Sequence, residues 1–384
     1  MRTCLIRLGA LSTVSAVLAS TSAAAALAAG VGVPSVLDIA RSAPVERPAG
    51  SPGLRFGIYP GGDVGTVDAP ATEAHDDAGR RLALLRELKG DRPLVMHIYA
   101  TVSGTAGDAG HLVWAEDQIR TYADSGLDTE LVLRHQPASR NPRVAAVGYE
   151  RGVRDAVRKL ASQRSLVSLQ ITNEPNLLRA PAAGDGAFPG VRAALVRGVI
   201  AADQELRRAG RPDLLVGFNV AHGAPGSLKR FFSDLRRRGG RPFRHAVDWV
   251  GLDIYPGTWS APRKPTQAAV RSVVTRALRE LRVRHLPAAG LGRRVALHVS
   301  ENGYPTGPGR SAAAQAAVMR ASLEAVARAR VRYGVTDYRW FDLWDADSAS
   351  PHMEHQYGVV RSDFVPKPGF YVLRDLVAQL SSAP

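Results

Sequence analysis

Leu166-Val-Ser-Leu-Gln-Ile-Thr-Asn-Glu-Pro175 begins as a strand and ends in a carboxylate. Leu166, Val167, Leu169 and Ile171 are strand-forming apolar residues. Pro175 has no N–H to give to a sheet ladder, so the strand stops at or just before it. Asn173 and Glu174 are then left at the carboxyl end of a buried strand. A second stretch, Arg294-Val-Ala-Leu-His-Val-Ser-Glu-Asn-Gly303, ends the same way at Glu301. Two glutamates on two strand ends, far apart in the chain, are the residue types that glycosidic bond cleavage uses.

Outward from these two stretches, strand-like and helix-like segments alternate. Strands are predicted at 54–59, 93–99, 129–134, 166–172, 214–219, 247–255, 295–300 and 336–344. A helix opened by Thr72 or Asp77 runs through Leu88. Others are predicted at 112–124 (stopped by Gly126), 144–162, 191–209 (closed by Gly210 and Pro212), 228–238 (ended by Gly239-Gly240), 266–285, 312–330 and 370–380. A loop covers Asp345 to Lys367. Eight strand-then-helix units with apolar strands predict an α/β fold, a (β/α)8 TIM barrel, as one catalytic domain over 53–384. The alternative is an open doubly wound sheet, which carries a glycine-rich phosphate turn after its first strand. Gly61-Gly62 is too short for that turn. In a barrel, the ends of strands four and seven open onto one mouth, which places Glu174 and Glu301 together.

The chain has 384 residues, 45% hydrophobic and 22% charged, an ordinary globular composition. Residues 1–28 read as a secretory signal. Arg2 and Arg7 precede an apolar stretch at 8–19, small residues follow at 22–29, and cleavage is expected after Ala28. Ser12, Thr13 and Ser15 interrupt the apolar stretch, which is short for a membrane span. The expectation is a secreted, extracellular protein with no membrane span once the signal is gone, rather than one held by a retained anchor. Residues 29–52 carry four prolines and read as a linker or loosely packed arm. The single cysteine is Cys4, inside the signal, so no disulfide, thiolate nucleophile or cysteine metal site is expected in the mature chain. Net charge is +15. The arginines, for example Arg151, Arg154, Arg158 and Arg164, are spread over helices as solvated faces. Affinity for acidic glycans or an anionic cell wall is the sharper alternative. Basic residues are not interleaved with aromatics, which excludes nucleic acid as the expected partner.

Asn173-Glu174-Pro175 at the end of strand four and Ser300-Glu301-Asn302-Gly303 at the end of strand seven resemble the clan A retaining glycoside hydrolases. That resemblance implies that Glu174 is the acid/base, Glu301 the nucleophile and Asn173 the ligand of the sugar 2-hydroxyl. It further implies a tyrosine bonded to the nucleophile at Tyr255, at the end of strand six, and a tryptophan platform at Trp344, at the end of strand eight. The match spans 54–380. Asn-Glu-Pro-Asn-Leu is similar to families 5 and 39, and Ser-Glu-Asn-Gly-Tyr-Pro also to families 1, 17 and 53, so no single family is singled out. The clan's arginine near the nucleophile stands on strand two, whereas Arg134 stands on strand three.

Plainer roles stand beside these. Glu-Asn-Gly also suits a turn. Tyr255 also suits a strand end above Pro256, and Trp344 a core or rim position. Trp259, in the loop after strand six, lines an outer subsite or covers the mouth. Arg134 and His135, and His97 and Tyr99, end strands three and two, where they bind sugar hydroxyls or hold Glu301 ionised. Asn219, His222 and His298 read equally as ligands and as core or rim groups. The loop holding Asp345, Asp347, His352, Glu354 and His355 lacks a recognised metal spacing and reads as a solvated loop. The expectation is a monomeric hydrolase acting on an oligo- or polysaccharide or glycoside, with no cofactor and no metal. Its acid must keep its proton at neutral pH, through desolvation and a neighbouring carboxylate. Rival readings are a non-catalytic carbohydrate-binding barrel and a metal-dependent hydrolase built on the 345–355 loop.

Overall fold

Along each strand, successive side chains point to opposite faces. In 166–171, Leu169 and Ile171 join the apolar core, while Ser168 and Gln170 are buried polar residues on the other face. A sheet that is apolar on its outside needs helices there, and a polar inner face needs enclosure. The computed structural model, which describes residues 53–61 and 76–381, meets both needs with a closed barrel. The strands are β1 (Arg55–Ile58), β2 (Leu94–Val102), β3 (Asp128–His135), β4 (Leu166–Ile171), β5 (Leu215–Ala221), β6 (Trp249–Ile254), β7 (Ala296–Asn302) and β8 (Val335–Trp340). They pair in parallel and in chain order, and β8 closes on β1.

A helical segment follows each strand: α1 (Ala78–Lys89), α2 (Asp108–Ala123), α3 (Pro142–Leu160), α4 (Val191–Arg208), α5 (Leu228–Ala246), α6 (Gln267–Glu280) with the short α7 (Leu286–Ala289), α8 (Ala312–Tyr333) and α9 (Pro368–Leu380). Their starts follow side-chain caps. Asp77, Asn141, Ser227, Thr266 and Ser311 each accept from a backbone N–H of the first turn. Among the described residues no helix is long and apolar enough to cross a membrane. The expected signal at 1–28, the arm at 29–52 and the Thr72 helix start lie outside the described residues.

Most boundaries fall within four residues of expectation, β2 running on to Val102 and α2 starting already at Asp108, and three differ for a reason visible in the backbone. The helix after β5 does not end at Gly239-Gly240. Gly240 breaks it with φ of 54° and ψ of −141°, and a second segment with Pro242 in its first turn continues to Ala246. The helix after β6 does not end at His285, because a π turn over Leu281–His285 carries the chain into α7. The strand expected over 336–344 ends at Trp340.

The barrel interior is a charged lattice beneath the mouth. Arg339 on β8 reaches Glu130 on β3 at 3.3 Å and Asp337 at 2.8 Å. Gly57 makes room for Arg339, since a Cβ there would lie 2.4 Å from the arginine side chain. His97 Nδ1 lies 2.8 Å from Glu130, and His298 stacks on Trp249 at 4.2 Å beside Asp337. Burial opposes charge on Glu130, yet Arg339 and His97 hold its carboxyl far below the usual range.

Candidate active site

The chain leaves β4 by an unusual route. Thr172 and Glu174 take left-handed φ values of 66° and 43°, which cost residues with a Cβ about 1–3 kcal/mol each. Hydrogen bonds hold the bend in place. Thr172 N–H donates to Leu133 O and to the Tyr149 hydroxyl, Asn173 N–H to Asp185 Oδ2, and Glu174 N–H to Asn219 Oδ1 at 2.8 Å. The result is a glutamate side chain fixed at the end of a buried strand.

Glu301 arrives from β7, where the register pairs it with Asp253 of β6. Both ladders flanking β7 shift register near the mouth, an irregularity that re-aims strand-end side chains. One carboxylate oxygen from each of Glu174, Asp253 and Glu301 falls within 4.8 Å of the others. All three residues are buried, Glu174 at 8%, Asp253 at 1% and Glu301 at 7% exposure. Tyr99 O–H donates to Glu301 Oε1 and Tyr255 O–H to Oε2, both at 2.6 Å. Burial and the Glu301 charge push both phenols well above their usual range, so they remain donors. His97 Nε2 stands 2.9 Å from the Tyr99 oxygen and links Glu301 to the charged lattice below.

Burial and the neighbouring Glu301 push the Glu174 carboxyl up to about 8, against the pull of Arg134 and of a hydrogen bond to Asp253. Asp253 is also driven well above its usual range, by burial and then by Glu301 and Glu174. The site therefore combines one carboxylate fed by two phenolic donors with an acid that keeps its proton at neutral pH.

Each residue expected at the site has a definite place. Asn173 Oδ1 accepts from Asn219 at 2.8 Å and Gln170 at 3.2 Å, and its Nδ2 donates to Ala183 O at 2.9 Å. Tyr255 lies one residue beyond β6 and reaches Glu301 as described. Arg134 does not face the mouth with free donors. Its guanidinium holds Asp185 at 3.0 Å and donates to Ala182 O and Pro181 O, fixing the loop after β4. Trp259 is exposed, at 55%, on the loop after β6.

Trp344 is a correction. It stands four residues past the end of β8, buried at 4% exposure, with its indole N–H donated to Pro60 O at 3.1 Å and its ring stacked on Phe364. The aromatic run Trp340-Phe-Asp-Leu-Trp344 reads as strand throughout, but the chain turns after Trp340. The ring just past the end of β8 that adjoins the site is Phe341, stacked on Tyr59 at 5.1 Å and edge-on to Tyr255 at 6.3 Å. The loop at 345–355 gathers no metal-like trio among the described residues. Asp345 pairs with Lys367 at 2.7 Å, and His355 with Ser350 at 2.9 Å. Asp253 is absent from the expected set. Its signal was present, a lone carboxylate in the apolar run Trp249-Val-Gly-Leu-Asp-Ile254.

No family model and no curated protein matches the chain. Solved structures do. The family 1 β-glucosidase from Thermotoga maritima superposes with a TM-score of 0.58 at 14% identity, covering 88% of this chain and 99% of that one. A GH5_18 structure from Streptomyces cattleya, in complex with GlcNAc, gives 0.61 at 16% identity over 87% and 82%. A family 39 glycoside hydrolase from Bacteroides cellulosilyticus WH2 gives 0.54 at 15% identity over 86% and 64%. The chain thus has the (β/α)8 fold of clan A glycoside hydrolases, shared across families 1, 5 and 39 without singling out one. At these identities the likeness is one of fold.

Proposed function

We propose that the protein is an exported retaining glycoside hydrolase acting on β-linked O-glycosides. The observation that carries this reading is that one carboxylate oxygen of Glu174 and one of Glu301 lie within 4.8 Å of each other at the carboxyl ends of β4 and β7. Retaining enzymes hold their carboxyls about 5–5.5 Å apart, and inverting ones about 6.5–9.5 Å. Glu174 gives its proton to the leaving oxygen while Glu301 attacks the anomeric carbon, and the glycosidic bond breaks. Glu174, now a carboxylate, takes a proton from water, whose oxygen displaces Glu301 and frees the sugar. Each group suits its part: Glu174 keeps its proton near neutrality, and Tyr99 and Tyr255 feed Glu301. Asn173 is the proposed ligand of the sugar 2-hydroxyl, and Phe341 the aromatic surface beneath the sugar. Preference for β-linkages draws on the neighbours described as β-glucosidases.

The test is a panel of α- and β-aryl glycosides and polysaccharides, scored for binding and for reducing-end release. Wild type is expected to release sugar, and Glu301→Gln to lose turnover by about 10³-fold or more. Binding without release by the wild type would instead mark a non-catalytic carbohydrate-binding barrel. Export rests on the signal-like residues 1–28. The intact mass of protein recovered from the medium should match a chain starting at residue 29, and a chain retained whole in the cell contradicts it.

A further inference from the structure

Asp253 is the member of the buried carboxylate trio that the two-glutamate reaction does not use. Its surroundings are unusual for an ionised aspartate. Glu174 faces it from the β4 end and Glu301 from β7, each with an oxygen within 4.8 Å. Its own hydrogen-bond donors are neutral: Ser300 Oγ at 2.5 Å and Asn219 Nδ2 at 2.5 Å. Among the described residues no Arg, Lys or His forms an ion pair with it. Arg134, the cation that acts on Glu174, is committed to Asp185. Tyr99 and Tyr255, the other titratable groups near it, direct their protons to Glu301. Three negative charges in so small a buried volume repel one another strongly, so a proton stays on at least one of them. Glu301 is supplied with two hydrogen bonds by the phenols, one to each oxygen, whereas no phenol donates to Asp253. Burial and the two glutamates push Asp253 well above its usual range. The position is also built for close packing. Gly251, two residues earlier, leaves room for Ser300, since a Cβ there would lie 2.2 Å from Ser300 Oγ.

We infer that Asp253 stands in the site as a protonated carboxyl whose O–H is donated to Glu174, making it a positioning residue for the acid/base. The inference rests on Glu174 being that acid/base. When Glu174 gives its proton to the leaving oxygen, its new negative charge meets the Asp253 O–H. When Glu174 takes a proton from water, the charge is discharged and Asp253 is unchanged. No bond to Asp253 breaks, and it does not touch the substrate.

Infrared difference spectroscopy of wild type against Asp253→Asn at neutral pH tests the protonation without any substrate. Loss of the carbonyl stretch of a carboxylic acid is expected. Loss of the paired carboxylate stretches instead overturns the inference. Kinetics test the role by the sign of a shift. Asp253→Ala removes the donor that favours ionised Glu174, so the basic limb of kcat/KM moves to higher pH. Its kcat falls about tenfold with KM little changed, the loss expected for one hydrogen bond. Asp253→Asn keeps an N–H donor and leaves the limb in place. If Asp253 were ionised, both variants would remove a negative neighbour and move the limb to lower pH, which would overturn the inference. An acid band lost in Asp253→Asn from a wild type that cleaves no glycoside would support the proton assignment and defeat the hydrolase reading.

Discussion

At the scale of single residues, the site works by giving similar side chains different surroundings. Glu301 receives two phenolic hydrogens, while Glu174 is desolvated beside Glu301 and held up to about 8. If Glu174 must carry a proton to protonate the leaving oxygen, kcat/KM falls as pH rises through about 8. The same shift appears in stability. The folded protein keeps this proton to higher pH than the unfolded chain, whose glutamate titrates near 4.5. Any stability tied to that proton is therefore fully present below about 4.5 and is lost as pH rises through about 8. Glu174→Gln removes the titration, so its melting temperature should gain on wild type more at pH 8 than at pH 5. An equal difference at both pH values would contradict the shift. Both glutamates were legible in the sequence because each ends an apolar strand. Asp253 was not singled out, since its partners Glu174, Asn219 and Ser300 converge on it from three other strands that the sequence does not show meeting.

At the scale of elements, the strand ends are fixed by the loops beyond them. Asp185 accepts from the N–H groups of His135 and Asn173 and pairs with Arg134, so one buried carboxylate ties the ends of β3 and β4 to the loop after β4. Arg134→Ala leaves that carboxylate buried without its cation and should cost about 3–5 kcal/mol. Chemical denaturation of the variant measures this, and a change under about 1 kcal/mol would assign the arginine to the surface instead. Arg134 stands at the penultimate position of β3. Its expected substrate contact was not legible as a structural tie, because Asp185 lies 51 positions away. Strand existence and order were legible from the apolar runs and their stops. The β8 end was not, because Phe341 to Trp344 carries the same aromatic pattern beyond the ladder as within it. The helix after β5 shows a related limit. Gly239-Gly240 signals a break, and Pro242 restarts a helix whose continuation no stop signal announces.

At the scale of the whole molecule, the barrel brings residues of four distant strands, at or near their carboxyl ends, into one enclosed mouth. β2, β4, β6 and β7 deliver Tyr99, Glu174, Asp253 with Tyr255, and Glu301, over a lumen of charged side chains paired among themselves. The count of eight units made this architecture legible in the sequence, because a parallel sheet with helices outside has few ways to cover both faces. The sugar was not legible. In the proposed reaction, recognition beyond the two glutamates would fall to loops such as that carrying the exposed Trp259, whose shape the strand pattern does not constrain. The central claim is that Glu174 and Glu301 act by double displacement, and its most direct measurement is the anomeric configuration of the first-formed product, followed by proton NMR before mutarotation. A β-glycoside should release its sugar first as the β-anomer. Release of the α-anomer would mean a single displacement by water and would contradict the account.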